Sequence, residues 1–212
     1  MKKAISLFLA LMMCLSLCAC GTSAAKFQEA YTETYDKIET LNGSCEYVSS
    51  LMYDIWNAVG VDYAYDAFVY MLNIPEDFKT YWDNNAPYGG VYAYADIEDR
   101  IGKAYGWLHN TTYGICLSSD AEEFHAMCME FQSKFAAVSL LDEELAEEFK
   151  TLRSSYYEDF GTEFDLLYDY YVEVSSFAEF SQNPSGSLRS FGQEIDTYQS
   201  EISKLAKAAD IY

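Results

Sequence analysis

Only two histidines, three prolines and thirteen basic residues occur among 212 positions, and each scarcity removes a class of protein. With His109 and His125 alone, and no Gly-x-Ser-x-Gly elbow, the common nucleophile, base and orienter layouts of hydrolases have no foothold. Few prolines beside twenty tyrosines and thirteen phenylalanines argue against disorder. The thirteen basic side chains face 34 acidic ones, for a formal charge of −21, so nucleic acid is excluded as a default partner. Cations, cationic peptides, basic proteins and neutral sugars stay compatible with such a surface, and the charge also serves simply to keep the protein dissolved. Despite the many carboxylates there is no EF-hand loop, so specific calcium binding has no support. Internal repeats and low-complexity segments are absent as well.

Long apolar runs are rare too. The one at positions 4–17 follows Lys2 and Lys3 and contains no acid, which is the layout of an export signal. A membrane span needs about 20 apolar residues, and small residues follow from Gly21, so this segment is too short to cross. At its end, Leu17-Cys18-Ala19-Cys20 resembles the lipobox of bacterial lipoproteins, with a leucine three positions before the cysteine and a small residue just before it. Cys14 and Cys18 fit that pattern worse, because Met13 and Leu17 are large at the position before the cut. The resemblance covers the leader alone. It implies a signal peptide over 1–19, diacylglycerol on the Cys20 thiol, and an extracytoplasmic protein lipid-anchored to the bacterial cell membrane. A two-chain lipid, at about 0.8 kcal/mol per buried methylene, would hold it there. Removing 1–19 takes away two lysines and no acid, making the charge about −23.

Beyond a short tether at 20–25, the period of the apolar residues is the main signal. Phe27, Tyr31, Thr34, Ile38, Leu41, Cys45, Val48, Met52, Ile55 and Val59 alternate spacings of four and three, a heptad seam. The spacing predicts a helix about 50 Å long that packs along its length, with Gly43 as a candidate kink. A second stripe runs through Leu188, Phe191, Ile195, Tyr198, Ile202, Leu205 and Ala209, started by the turn Asn183-Pro184-Ser185-Gly186. A third comprises Phe124, Cys128, Phe131, Phe135 and Val138, with Ser119 and Glu122 as a capping box. The fourth takes in Leu145, Phe149, Leu152, Tyr156, Phe160, Phe164, Leu167, Tyr171 and Val174. Its spacing slips to repeated fours near Gly161, which marks either a locally unwound supercoil or two helices meeting there.

No segment alternates strand and helix. The expected architecture is therefore all-α: an elongated antiparallel helical bundle of about four long helices over 26–212, with a smaller, mostly helical insertion at 60–117. Within that insertion, 61–72 reads as a short helix, Pro75 suits the first turn of another, and Ile97, Ile101, Tyr105 and Leu108 suggest a third.

Candidate chemistry is sparse. Glu122 and His125 form one Glu-x-x-His step, but a carboxylate-bridged di-iron bundle needs two, and His109 lacks the acid partner. His125, Cys128 and Met129 offer soft ligands for Cu(I), yet Cys128 falls on the apolar stripe, where a thiol acts as a small hydrophobe. Cys45, Cys116 and Cys128 allow at most one disulfide. The runs Asp142-Glu143-Glu144 and Glu147-Glu148 read as a solvated helix face. No catalytic residue, metal ligand or cofactor is assigned. The most distinctive segment is 81–94, a Gly- and Asn-bearing loop carrying Trp82, Tyr88, Tyr92 and Tyr94. Such rings give large contact area at low entropic cost, although a loop packed on its own aromatics would look the same.

The leading expectation is a non-enzymatic lipoprotein that binds a protein or glycan through this loop or a helical face. The alternative is a small-ligand receptor or acid/base enzyme with a Tyr- and carboxylate-lined pocket. An enclosed cavity with two carboxyl groups at catalytic separation would favour the alternative; a filled core with exposed aromatics would favour the binder.

Overall fold

A computed structural model describes the backbone at 2–59, 68–69, 71–73 and 121–210, with side chains at 23–57, 68–69, 71–73 and 126–210. Most of the expected insertion, including its loop at 81–94, lies outside the described residues. Three helices make up nearly all the rest: α1 (Lys2–Val59), α2 (Ala121–Gln182) and α3 (Leu188–Ala209). The protein is all-α, with no strand among the described residues.

The heptad seam is the buried face of α1. Phe27, Tyr31, Thr34, Ile38, Leu41, Cys45, Val48, Met52 and Ile55 are all buried, as the four-three spacing requires of a helix packed lengthwise. Gly43 does not kink it; α1 continues through that position and through 20–25. A helix contributes its apolar stripe as a unit, so one glycine on the outer side costs propensity without breaking the ladder.

Three helices stand where about four were expected, because the third and fourth stripes lie on the single element α2. That element is interrupted at Phe160, where φ −131° and ψ 34° leave the helical region. The interruption reverses the chain. Tyr171 Oη reaches Asp142 Oδ1 at 3.1 Å, although a straight helix would hold residues 29 apart at a separation of about 43 Å. Gln182 Nε2 likewise donates to the Phe135 carbonyl at 2.9 Å. The slipped spacing near Gly161 thus marks two arms meeting, and Phe160 itself stacks on Phe27 of α1 with ring centroids 4.4 Å apart.

The last helix starts where its turn predicts. Gly186, at φ +86°, occupies the left-handed region that favours glycine. Ser187 then caps α3: its Oγ accepts from Ser190 N at 3.1 Å while Ser190 Oγ accepts from Ser187 N at 2.9 Å. Along α1, α3 runs in the opposite direction. Tyr31 Oη donates to the Ala209 carbonyl at 2.8 Å, and Trp56 meets Phe191 at 5.7 Å between rings. Gly192 allows the close approach between them, since a Cβ there would lie 2.7 Å from Tyr53 Cε2. Of the insertion, Phe68 and Met71 are buried in the same core, and the Met71 carbonyl accepts from Gln132 Nε2 at 2.8 Å.

Two substitutions test this packing by urea denaturation. A Cβ on Gly43 meets nothing within 4 Å, so Gly43→Ala should raise stability by roughly 0.5–1 kcal/mol. Leu41→Ala should cost about 2–5 kcal/mol, whereas Leu140→Ala, at a side chain 67% exposed, should change stability by less than about 0.5 kcal/mol. A destabilising Gly43→Ala would mean that α1 bends there.

Candidate functional site

The two arms of α2 pack against each other through aromatic rings, and the outermost rings are left in solvent. Phe149 stacks on Tyr171 with centroids 4.8 Å apart and meets Phe164 edge-on at 5.8 Å. Phe164 in turn stacks against Tyr168 at 5.8 Å and meets Tyr157 edge-on at 5.2 Å. Phe149 and Tyr157 lie eight residues apart on the first arm, and Phe164, Tyr168 and Tyr171 four and three apart on the second, so the reversal at Phe160 brings two ladders of rings together. Tyr157, Tyr168 and Val172 are 38%, 39% and 44% exposed, and they account for three of the four large apolar side chains left exposed among the described residues. Between the arms lies a cleft of about 410 Å³ that includes Phe149, Phe164 and Tyr168, with Lys150 and Arg153 at its edge.

The charges around this cleft are unusual for so acidic a chain. The Arg153 guanidinium carbon sits 5.3 Å from the Tyr157 ring centroid, an arrangement worth about 0.5–1 kcal/mol at an exposed site. Lys150 pairs with Glu147 at 2.5 Å. Below the rings, Tyr171 Oη donates to Asp142; burial, reinforced by that carboxylate, pushes its pKa up to about 12. The surface offers flat rings for stacking, with one guanidinium and one ammonium beside them. It carries no nucleophile and base pair.

On the inner side of the first arm, the acidic runs do more than face solvent. Glu148 Oε2 accepts from Lys37 Nζ at 2.5 Å, and its Oε1 lies 2.5 Å from the hydroxyl of the fully buried Thr34. Glu144 also accepts from Lys37, at 2.8 Å, and these two hydrogen bonds are the main reason the Lys37 ammonium is raised in pKa. The solvated-face expectation therefore holds for Glu143 and Glu147, which are exposed, but not for Glu148 or Asp142.

Cys20 lies on the backbone of α1, and its side chain falls outside the described residues, as does that of His125. Trp82, Tyr88, Tyr92 and Tyr94 also lie outside them, together with His109 and Cys116. Cys128 is buried and free, packed in the core as its place on the stripe implies. Cys45 is buried and free as well. No group of three or more potential metal ligands occurs among the described residues. No helix among them is long and apolar enough to cross a membrane. The sequence does assign Phe149, Phe164 and Tyr171 to a stripe, but Tyr157, Tyr168 and Arg153 are not singled out by it; aromatics lying just off a stripe next to a helix break are the signal that would have found them.

No protein-family model, curated protein or solved structure matches this chain.

Partly and fully buried phenols give a pH prediction. Burial is the leading cause that raises Tyr35, Tyr47 and Tyr171 to about 12, with nearby carboxylates adding to it. Below about pH 10 these groups are protonated in folded and unfolded chains alike, so their contribution is fully present. Between about pH 10 and 12 the unfolded chain loses protons that the folded chain keeps, and stability must fall as pH rises. Phenolate absorbance should accordingly lag behind that of a denatured control until helical circular dichroism is lost. Ionisation of all the tyrosines near pH 10, with helix content unchanged, would contradict this burial.

Proposed function

We propose that the chain is an extracytoplasmic, non-enzymatic protein held on the bacterial cell membrane by lipid on Cys20, and that it binds a protein or glycan partner. Its helical arms form an elongated antiparallel bundle of four, counting the two arms of α2 separately. The bundle presents the aromatic cleft as a docking face.

The observation that carries the binding reading is the exposure of Tyr157, Tyr168 and Val172 on one side of α2. A soluble surface gains nothing from leaving contiguous rings in water, and such patches mark interaction sites. Tyrosine suits the task because its ring offers apolar area while its hydroxyl stays hydrated. Sugar rings and protein side chains both meet such a surface well, and the formal charge of −21 argues against polyanions. The loop with Trp82, Tyr88, Tyr92 and Tyr94 is proposed as a second contact of the same kind. Support for the membrane anchor comes from the residues Leu17-Cys18-Ala19-Cys20.

Both halves can be tested in bacterial cells expressing the full chain. Mass spectrometry of the amino-terminal peptide should find diacylglycerol on Cys20, and Cys20→Ala should release the protein from the membrane fraction. A free thiol at Cys20 would remove the anchor. Affinity capture from envelope extracts should enrich a partner that is lost on Tyr168→Ala with Val172→Ala, or on Trp82→Ala with Tyr88→Ala. Identical capture by all these variants would leave the aromatic surfaces without a role.

A further inference from the structure

A second concave surface, between α1 and the first half of α3, has a different chemistry. Tyr53 and Asp54 on α1 face Arg189, Gln193, Asp196 and Gln199, which recur at intervals of four, three and three along one side of α3. Together they line a groove of about 570 Å³, within the range of about 300–1,000 Å³ common to small-ligand sites. From Arg189 to Gln199 it extends about 15 Å along the helix. Gly192 fixes its aromatic wall: a Cβ there would lie 2.7 Å from Tyr53 Cε2 and 3.4 Å from Cδ2 and Cζ. One edge of the ring is thus held against the α3 backbone, so Tyr53 is a set part of the wall.

The polar groups around this ring are uncommitted. Among the described residues, no hydrogen bond or ion pair engages the side chain of Tyr53, Asp54, Arg189, Gln193, Asp196 or Gln199. Asp54 is half-buried, and desolvation raises its carboxyl above the ordinary carboxylate range. A carboxylate in that position gains from any donor that reaches it out of the groove. The lining as a whole offers both kinds of group. The guanidinium, the two amides and the phenol donate; the two carboxylates and the amide carbonyls accept. A molecule entering the groove displaces water, so it keeps affinity only where its own groups replace hydrogen bonds of both kinds.

We propose that this groove binds a neutral oligosaccharide, with one sugar ring against Tyr53 and its hydroxyls shared among Asp54, Asp196, Arg189, Gln193 and Gln199. A hydroxyl both donates and accepts, so a polyol satisfies carboxylate and guanidinium together. The C–H face of a sugar covers the apolar part of the tyrosine ring, which supplies contact area at low entropic cost. Other ligand classes meet less of the lining. Acidic sugars gain Arg189 but face two carboxylates and a formal charge of −21. Aliphatic amines leave the guanidinium unpaired, a short zwitterion leaves the ring uncovered, and apolar molecules leave every polar group unpaired. This site uses different residues from the aromatic cleft of α2 and stands whether or not that cleft binds a partner.

Isothermal calorimetry on the full chain tests the proposal. Maltotriose, cellotriose, mannotriose and N-acetylated chitotriose are the neutral probes, trigalacturonate the acidic control and Gly-Gly the zwitterion. At least one neutral trisaccharide should bind at a single site, and neither control should match it. Tyr53→Ala should weaken that binding about tenfold or more, whereas Tyr53→Phe, which keeps the ring, should weaken it less than about threefold. Arg189→Gln and Asp196→Asn, at exposed side chains, should each cost about threefold to tenfold with helical circular dichroism unchanged. Tyr168→Ala, in the α2 cleft, should leave the affinity as it was. Absence of binding by every neutral probe at millimolar concentration would overturn the proposal. So would binding that survives Arg189→Gln with Asp196→Asn, or Gly-Gly binding as tightly as the best sugar. Loss of sugar binding with Tyr168→Ala alone would move the site to the α2 cleft, overturning this inference while leaving the reading of that cleft intact.

Discussion

Every described element rests on the buried stripe of α1. Nine consecutive seam positions from Phe27 to Ile55 are closed to solvent, and both α2 and α3 pack against that helix. Each Leu, Ile, Phe or Val side chain buried there contributes about 1.5–3 kcal/mol relative to exposure. A helix of this length could not persist on backbone hydrogen bonds alone, because its own propensity is mediocre and it carries two glycines, Gly21 and Gly43. Its period matters more than its composition: any residue count other than alternating fours and threes would rotate the stripe away from its partners.

Polar contacts fix the position of each arm along that stripe. Thr34 occupies a seam position that an apolar residue would normally fill, and its hydroxyl meets both the Ala30 carbonyl and Glu148. Lys37, one turn on, reaches the same glutamate and sets the first arm of α2 at this level. The pair from Tyr170 to Glu39 holds the second arm, and Tyr31 with the Ala209 carbonyl holds the end of α3. A polar seam residue that demands one partner penalises every shifted alignment, which is how such residues specify register in coiled helices. Removing Glu148 would leave Thr34 buried and Lys37 without its closest partner, so these contacts act together.

Periodicity made most of the fold legible. The seams of α1 and α3 could be read position by position, since each carries one unbroken stripe flanked by polar residues. Gly161 announced a slip, but spacing alone does not separate an unwound supercoil from a reversal; only pairs such as Asp142 with Tyr171 tell them apart. The buried roles of Tyr170 and Phe177 went unread because they fall one register off the fourth stripe, on a second arm that faces α1 and α3 at once. Glu148 looked like its neighbours in an acidic run. Its distinction comes from facing Thr34 and Lys37 across the helix pair, which no local pattern records. Surface sites were least legible, because the exposure of Tyr157 and Tyr168 depends on where other helices stop.

On α2, the exposed rings have Arg153 and Lys150 beside them, a surface suited to a broad partner. That surface depends on α1 staying intact, since α1 gives the α2 arms their inner support. Amide hydrogen exchange along that helix is the most direct test. The amides of Ile38, Leu41, Cys45 and Val48 should be the slowest in the protein and should exchange only through global unfolding. Rapid local exchange over 38–55, while α2 and α3 remain protected, would contradict the central role of the seam.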